Sequence, residues 1–366
     1  MGAPWCYSLQ FPHGYHVSSG GFQENRTEAK IASDTLSGAL LSAYALLFGD
    51  AALEELLQQS TLPFRLSSTV PLIGSIRCLP LPAALRYQLL HFYNADNALP
   101  LKQRKQIRFI AEPLLAQMLQ NPGDPLTKVL SNADVLGNCL LPRETAAKLR
   151  TAFQRPPQHS KQSEDHSPIV LQHTAERPRV TIDRITAGSN VFYFTEVHHA
   201  RSRKIGTGLF FWATFDTEEV QQRFDAALAL LADEGIGADR TVGKGWFQWQ
   251  KEPYKGPLLI AAEKPHTVWC NLGLYIPTAE ELRRLKPSAS YYTLTLRRGW
   301  IWCARYRNQR RRPMRAFLEG ATLSFSEPIV PSGQIAPALD PANSPVIRNF
   351  QSLFLQLPEE WANAES

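Results

Sequence analysis

The 366-residue sequence has little sulphur, with three methionines and five cysteines. Cys6, Cys78, Cys139, Cys270 and Cys303 are scattered without a Cys-x-x-Cys pair, an odd set that suits reduced thiols and supplies no zinc template. No apolar run is long enough to span a bilayer and no signal-peptide pattern opens the chain, so a cytoplasmic protein without a membrane partner is expected. There are no paired carboxylates on an identifiable rigid element, no His-Asp dipeptide and no nucleophile elbow. The expectation is therefore no catalytic residue, no metal and no cofactor.

The chain carries a surplus of positive charge, net +6, within an ordinary globular composition of 44% hydrophobic and 20% charged residues. That balance favours an anionic partner, nucleic acid first and an acidic protein surface second. The length leaves room for two domains, each with its own core.

The densest signal lies between Asp233 and Trp249, where Gly235, Gly237, Gly243 and Gly245 fall within eleven positions. A helix pattern (Asp216 to Glu234) precedes them and an aromatic strand (Trp246 to Trp249) follows. Such a loop, carrying Arg240 and Lys244, can offer backbone N–H groups and cations to phosphates. It is not a Walker A loop, because Gly245 follows Lys244, and not a dinucleotide fingerprint, because the helix comes first. The competing reading is a helix stop at Gly235 with a tight strand entry at Gly243 and Gly245.

Along the chain, Trp5 to Phe11 reads as a strand, and Ser33 is expected to cap a helix carrying Leu36, Leu40, Tyr44 and Leu47 to Gly49. Free N–H groups at that helix start could meet an anion. Leu62 to Pro82 is proline-punctuated and loop-like, and Lys102 to Arg108 is a basic cluster. Gln154 to Arg179, rich in Pro, His, Ser and charge, reads as a mobile insertion. Val180 to Arg184 and Asn190 to Val197 form a strand pair with Thr186 and Gly188 at its tip, followed by the basic loop His198 to Lys204. Asp216 with Glu219 suggests a capping box. From Leu209 to Arg298 the order is βαββαβ, the ferredoxin-like order shared by many RNA-binding domains.

Eight arginines, Arg297, Arg298, Arg305, Arg307, Arg310, Arg311, Arg312 and Arg315, surround Trp300, Trp302 and Tyr306. This mixture suits single-stranded nucleic acid, and equally a hairpin that docks on an acidic protein. His13 and His16, or His198 and His199, are the only candidates for acid and base on RNA, and neither pair shows a sequence partner.

Taken in order, His13-Gly14, Ser33-Asp34-Thr35-Leu36 with Gly38-Ala39-Leu40, Ser67-Ser68 through Leu79-Pro80, Ile182 to Thr186, Gly235 to Arg240 with Gly243-Lys244-Gly245, and Phe317 to Gly320 are collinear with one family. The chain resembles the RAMP-type capping subunit of type III-A CRISPR (Csm) effector complexes. Ala238 stands where that family usually has a third glycine, and Ser37 where it has an aromatic or apolar residue. The resemblance implies an α+β fold of two ferredoxin-like, RRM-like domains with inserted loops and hairpins, residues 1–205 and 206–366. It implies a non-catalytic subunit in antiviral defence that holds the 5′ tag of crRNA, contacts the large polymerase/cyclase-type subunit and starts the backbone RAMP filament. Target RNA would be met only indirectly. The candidate RNA contacts are Gly235, Gly237, Arg240, Gly243, Lys244, Gly245 and Trp246, then Arg184, Thr186 and Ser33, with His13, Arg201, Arg203 and Lys204 completing the set. A RAMP endoribonuclease that processes precursor crRNA with a histidine would share the fold and the loop.

Overall fold

The computed structural model describes residues 2–18, 27–91, 99–123, 126–153, 170–202, 205–260, 264–301, 309–339 and 346–362. The chain enters as β1 (Trp5–Gln10), which buries Cys6, Tyr7 and Leu9. α1 (Ser33–Phe48) turns Leu36, Leu40 and Tyr44 into the core at helical spacing and stops at Gly49, whose φ is +87°. α2 (Asp50–Leu57) follows at once and has no fully buried residue. Then come β2 (Phe64–Leu66), β3 (Val70–Ile73) and β4 (Ile76–Pro80), so the proline-punctuated stretch is sheet and not loop. Pro63, Pro80 and Pro82 sit at or beside element ends, where a missing N–H disrupts little.

Next are α3 (Ala83–His91), α4 (Leu101–Gln106), β5 (Phe109–Ala111), α5 (Glu112–Gln120), α6 (Leu126–Ser131), β6 (Ala133–Leu136), β7 (Cys139–Pro142) and α7 (Arg143–Phe153). Two eleven-residue strands, β8 (Gln172–Ile182) and β9 (Ser189–His199), pair along their full length as a hairpin. Most of the insertion expected at 154–179 lies outside the described residues, but its end, 172–179, is strand. β10 (Thr207–Phe215) is buried at every position, and it leads to α8 (Glu218–Glu234) and β11 (Gln248–Pro253). The cap of α8 is Thr217, whose hydroxyl accepts the Val220 N–H, one residue beyond the expected Asp216.

β1 has two edges to satisfy, and β10 and β11 take one each. Tyr7 lies opposite Phe211 on one side, rings stacked at 5.0 Å, and Leu9 lies opposite Trp249 on the other. The sheet continues in the order β11-β1-β10-β3-β4-β5-β7-β6, with β2 also on β10. Each of its first four strands is antiparallel to its neighbour, with α1 after β1 and α8 after β10, which is a ferredoxin-like unit with β4 to β9 inserted. A division between residues 205 and 206 would cut through this unit, so the expected boundary is corrected: the unit runs from β1 to β11.

The remaining chain forms β12 (His266–Asn271), α9 (Ala279–Arg284), β13 (Leu294–Arg297), β14 (Met314–Phe317), β15 (Thr322–Ile329), β16 (Ile335–Pro337), β17 (Ile347–Asn349) and β18 (Phe354–Gln356). β12 lies between β15 and β18, while Leu285 and Tyr291 bridge to β15 from its other side. The second ferredoxin-like unit is built on this order. The βαββαβ succession read from Leu209 to Arg298 has the right element types, but its strands belong to three sheets. Phe210 and Trp212 of the first unit share a core with Cys270, Leu272 and Leu355 of the second.

Candidate nucleic-acid interface

All four loop glycines have positive φ, between +74° and +94°. Their reasons differ. A Cβ on Gly245 would stand 2.0 Å from the Ile236 carbonyl oxygen, one on Gly237 2.1 Å from that of His16, and one on Gly235 2.7 Å from that of Lys244. A Cβ on Gly243 would meet nothing within 4 Å. The loop closes through Ile236 N–H to Gly245 O at 2.9 Å and is pinned to the segment after β1 by Gly245 N–H to Gly14 O at 2.9 Å and Ala238 N–H to His16 O at 3.0 Å. Three of the glycines thus admit the protein's own backbone, as the competing reading of the loop anticipated in part. Gly243 alone faces open space.

The same segment runs beside β9, where Tyr15 and Val197 exchange backbone hydrogen bonds at 2.9 and 3.2 Å. Three pieces therefore meet: the exit from β1, the glycine loop and the base of the β8–β9 hairpin. At their junction the Glu196 carboxylate is buried, accepting Lys244 Nζ at 2.8 Å and facing Arg177 Nε at 3.3 Å and His198 Nε2 at 3.1 Å. Burial would raise its pKa, but Lys244, His198 and Arg177 together hold it below the usual carboxylate value. Arg179 pairs with Asp239 of the loop at 2.5 Å and lies over the Phe194 ring. Lys244 also donates to the His13 carbonyl at 3.2 Å, and the His13 ring lies 6.0 Å from that of Trp246. His199 is driven the other way: burial, then Arg201 and His198, lower its pKa to about 4, so it stays neutral at pH 7.

Of the expected contacts, Gly235, Gly237, Gly243, Lys244, Gly245, Trp246 and His13 are brought together here, with Arg240 beside them against Glu234 at 3.5 Å. Arg201 is exposed just beyond β9, and Arg203 and Lys204 lie outside the described residues. Arg184 and Thr186 are exposed at the hairpin tip, where Asp183 Oδ1 accepts the N–H groups of Ile185 and Thr186. Each strand of the hairpin is eleven residues long, so the tip stands off from the junction.

Ser33 is different. It is 1% exposed and is the first residue of α1, the N-cap being Ala32. Its hydroxyl accepts Leu274 N–H at 2.9 Å, and neighbouring Asp34 is held by Arg297 at 2.9 Å and by Arg348. The helix start is filled from within the protein and offers nothing to an RNA anion, which corrects that expectation.

The arginine run is divided in the same way. Arg297 is buried on Asp34, whereas Arg310 is exposed and lies 4.8 Å over the Trp300 ring. Trp302, Arg305, Tyr306 and Arg307 lie outside the described residues. The residues that sequence reasoning missed are Arg177, Arg179, Glu196 and Asp239. The available signal was the matched length of two extended stretches on either side of Asp183 to Gly188.

A model of the RAMP superfamily matches residues 13–248, and a model described as the CRISPR Csm4 C-terminal domain matches residues 264–357. The "CRISPR system Cms protein Csm4" of Thermococcus onnurineus (strain NA1) is 25% identical over 216 residues, 59% of this chain and 61% of that protein. The match thus spans about three-fifths of that relative's length. The protein of the same name from Methanocaldococcus jannaschii is 22% identical over 325 residues, 84% of this chain and 82% of that one. A chain in a crystal structure of a Csm3-Csm4 subcomplex from the type III-A CRISPR-Cas interference complex superposes with a TM-score of 0.64, at 16% identity, over 97% of this chain and 99% of that one. A Csm1-Csm4 cassette bound to pppApA gives 0.53, at 15% identity, over 98% and 100%. These superpositions agree with the paired ferredoxin-like fold.

Proposed function

We propose, from the premise that this chain belongs to the RAMP superfamily and ends in a Csm4-type C-terminal region, that it is a non-catalytic RNA-binding subunit of a type III-A CRISPR effector complex. It holds the 5′ tag of the crRNA at the glycine-loop junction and joins a Csm1-type large subunit to the Csm3-type backbone, in line with the assemblies named for the similar structures. The observation that carries the RNA reading is the junction itself. Lys244, Arg177 and Arg179 face Glu196 and Asp239 there, a surplus of cations flanked by exposed His13 and Arg201 and by the half-buried Trp246. Phosphates bind cations and one or two bases can stack on His13 and Trp246.

The test is affinity for a 5′-tag RNA over a salt series, using the double variant Arg177→Gln/Arg201→Gln, whose side chains are exposed at and beside the junction. Each arginine that contacts a phosphate adds about 0.7 to the log–log salt slope for a single strand, so the slope should flatten by about 1.4. An unchanged slope and affinity would remove these residues from the tag site. Precursor cleavage, the alternative, draws on the His198–Glu196 pair. That carboxylate is shared with Lys244 and Arg177, which ties His198 into a structural ion cluster. Repeat RNA should stay intact in the same assay.

A further inference from the structure

The basic cluster Lys102 to Arg108 is not used by the junction just described. In the fold it forms α4 and the turn into β5, and with the β6–β7 turn it bounds an open cleft of about 580 Å³. The cleft is lined by Lys102, Lys105, Gln106, Arg108, Gly137 and Asn138. Lys102 and Lys105, three apart on a helix, share one face. Among the described residues, no carboxylate forms an ion pair with Lys102, Lys105 or Arg108. Behind them Arg86 donates to the Ile107 carbonyl at 2.9 Å and Arg104 to the Leu89 carbonyl at 2.8 Å. Burial, and then the like charge of Arg108, lower the pKa of Arg86, so these two guanidinium groups lie near one another.

The composition of the lining decides the class of ligand. A protein interface keeps an apolar or aromatic centre, and this cleft has none. A base-reading or base-stacking site needs an aromatic platform, and none lines it. What remains is a surface for repeated phosphates. We propose that the cleft between α4 and the β6–β7 turn binds the phosphodiester backbone of a single-stranded nucleic acid, without regard to sequence, as a second site separate from the glycine-loop junction. Four strand steps, β1 to β10 to β3 to β4 to β5, separate the two across the sheet, roughly 19 Å at about 4.8 Å per step. One strand of some four or more nucleotides would be needed to reach from one to the other.

The experiment uses the full-length protein and a labelled 20-nucleotide oligo(U) that contains no tag sequence, with affinity read over a salt series. The triple variant Lys102→Gln/Lys105→Gln/Arg108→Gln should flatten the log–log slope by about two units, three contacts at about 0.7 each. Oligo(dT) should show the same change, since only phosphates are touched. A short tag-only RNA should bind the triple variant as it binds the parent, whether or not tag binding at the junction is itself correct. The charge-keeping variant Lys102→Arg/Lys105→Arg/Arg108→Lys controls for damage to the fold and should retain the parent slope. An unchanged oligo(U) slope in the glutamine variant would overturn the proposal. So would an equal loss in both variants, or a glutamine variant that keeps its slope while failing to bind a protein partner.

Discussion

At the scale of single residues, the four glycines of the loop separate into two kinds, and stability measurements should separate them. Gly243→Ala meets no neighbour and bears only the strain of a left-handed backbone, about 1–2 kcal/mol. Gly245→Ala and Gly237→Ala add a carbon some 2 Å from a carbonyl oxygen, so the loop must open, and a loss of ~3 kcal/mol or more is expected in urea unfolding. Equal losses in all three would mean that the close approach of backbone is not what these glycines serve. The sequence made the loop conspicuous through glycine density alone. It did not reveal what each glycine approaches, because His16 lies more than two hundred positions away and nothing local to Gly237 encodes that meeting. Ser33 misled for the same reason: a hydroxyl at a helix start is a sensible cap, and only the fold brings Leu274 N–H to claim it.

Among the elements, those with one buried face were legible and those without were not. α1 and α8 announce themselves by apolar residues at helical spacing, and β10 by an unbroken apolar run. β8 has almost no buried residue, so it carries no alternation, and its proline and charges resemble those of a disordered segment. The hairpin it makes with β9 exposes Val180, Ile182, Val191, Phe192 and Tyr193, with Ile185 at its tip 95% exposed. Apolar surface of that extent on a projecting arm suits a protein that works inside an assembly. The arginine run is likewise two things. Its first member joins β13 to the start of α1 through Asp34, which Arg348 of β17 also holds. Asp34→Asn would remove the anion that Arg297 and Arg348 share, leaving Arg297 the more distant Glu28 at 3.8 Å, and about 3–5 kcal/mol should be lost in thermal or urea unfolding. Arg310→Gln and Arg312→Gln, both exposed, should change stability by no more than about 0.5 kcal/mol. If Asp34→Asn proved as mild as these, the ion cluster would not be what joins the two halves.

For the whole molecule, the fold class was readable and the partition was not, because strand pairing over long separations leaves no mark on local pattern. β1 is the clearest case: it looks like the first strand of a self-contained N-terminal domain, yet both its neighbours arrive some two hundred residues later. This gives a test that distinguishes the two partitions. If the first unit ended near residue 205, a fragment of residues 1–205 would fold alone. In the structure that fragment lacks β10, α8 and β11, so both edges of β1 stand bare, and Leu36 and Leu40 of α1 lose the core they share with Phe211, Phe224 and Leu228. The fragment should therefore be unfolded or aggregated, with no cooperative thermal transition, since bare apolar strand edges pair with other chains. Supplying residues 206–366 by co-expression should recover a soluble complex, because the missing strands can pair in trans with the same register. In the loop from β9 to β10, where the cut falls, Arg201 is exposed and bridges to Gly206. A monomeric, cooperatively melting 1–205 fragment would show that the first unit closes without β10 and β11, and the reading of that unit as one ferredoxin-like frame interrupted by a long insertion would fall.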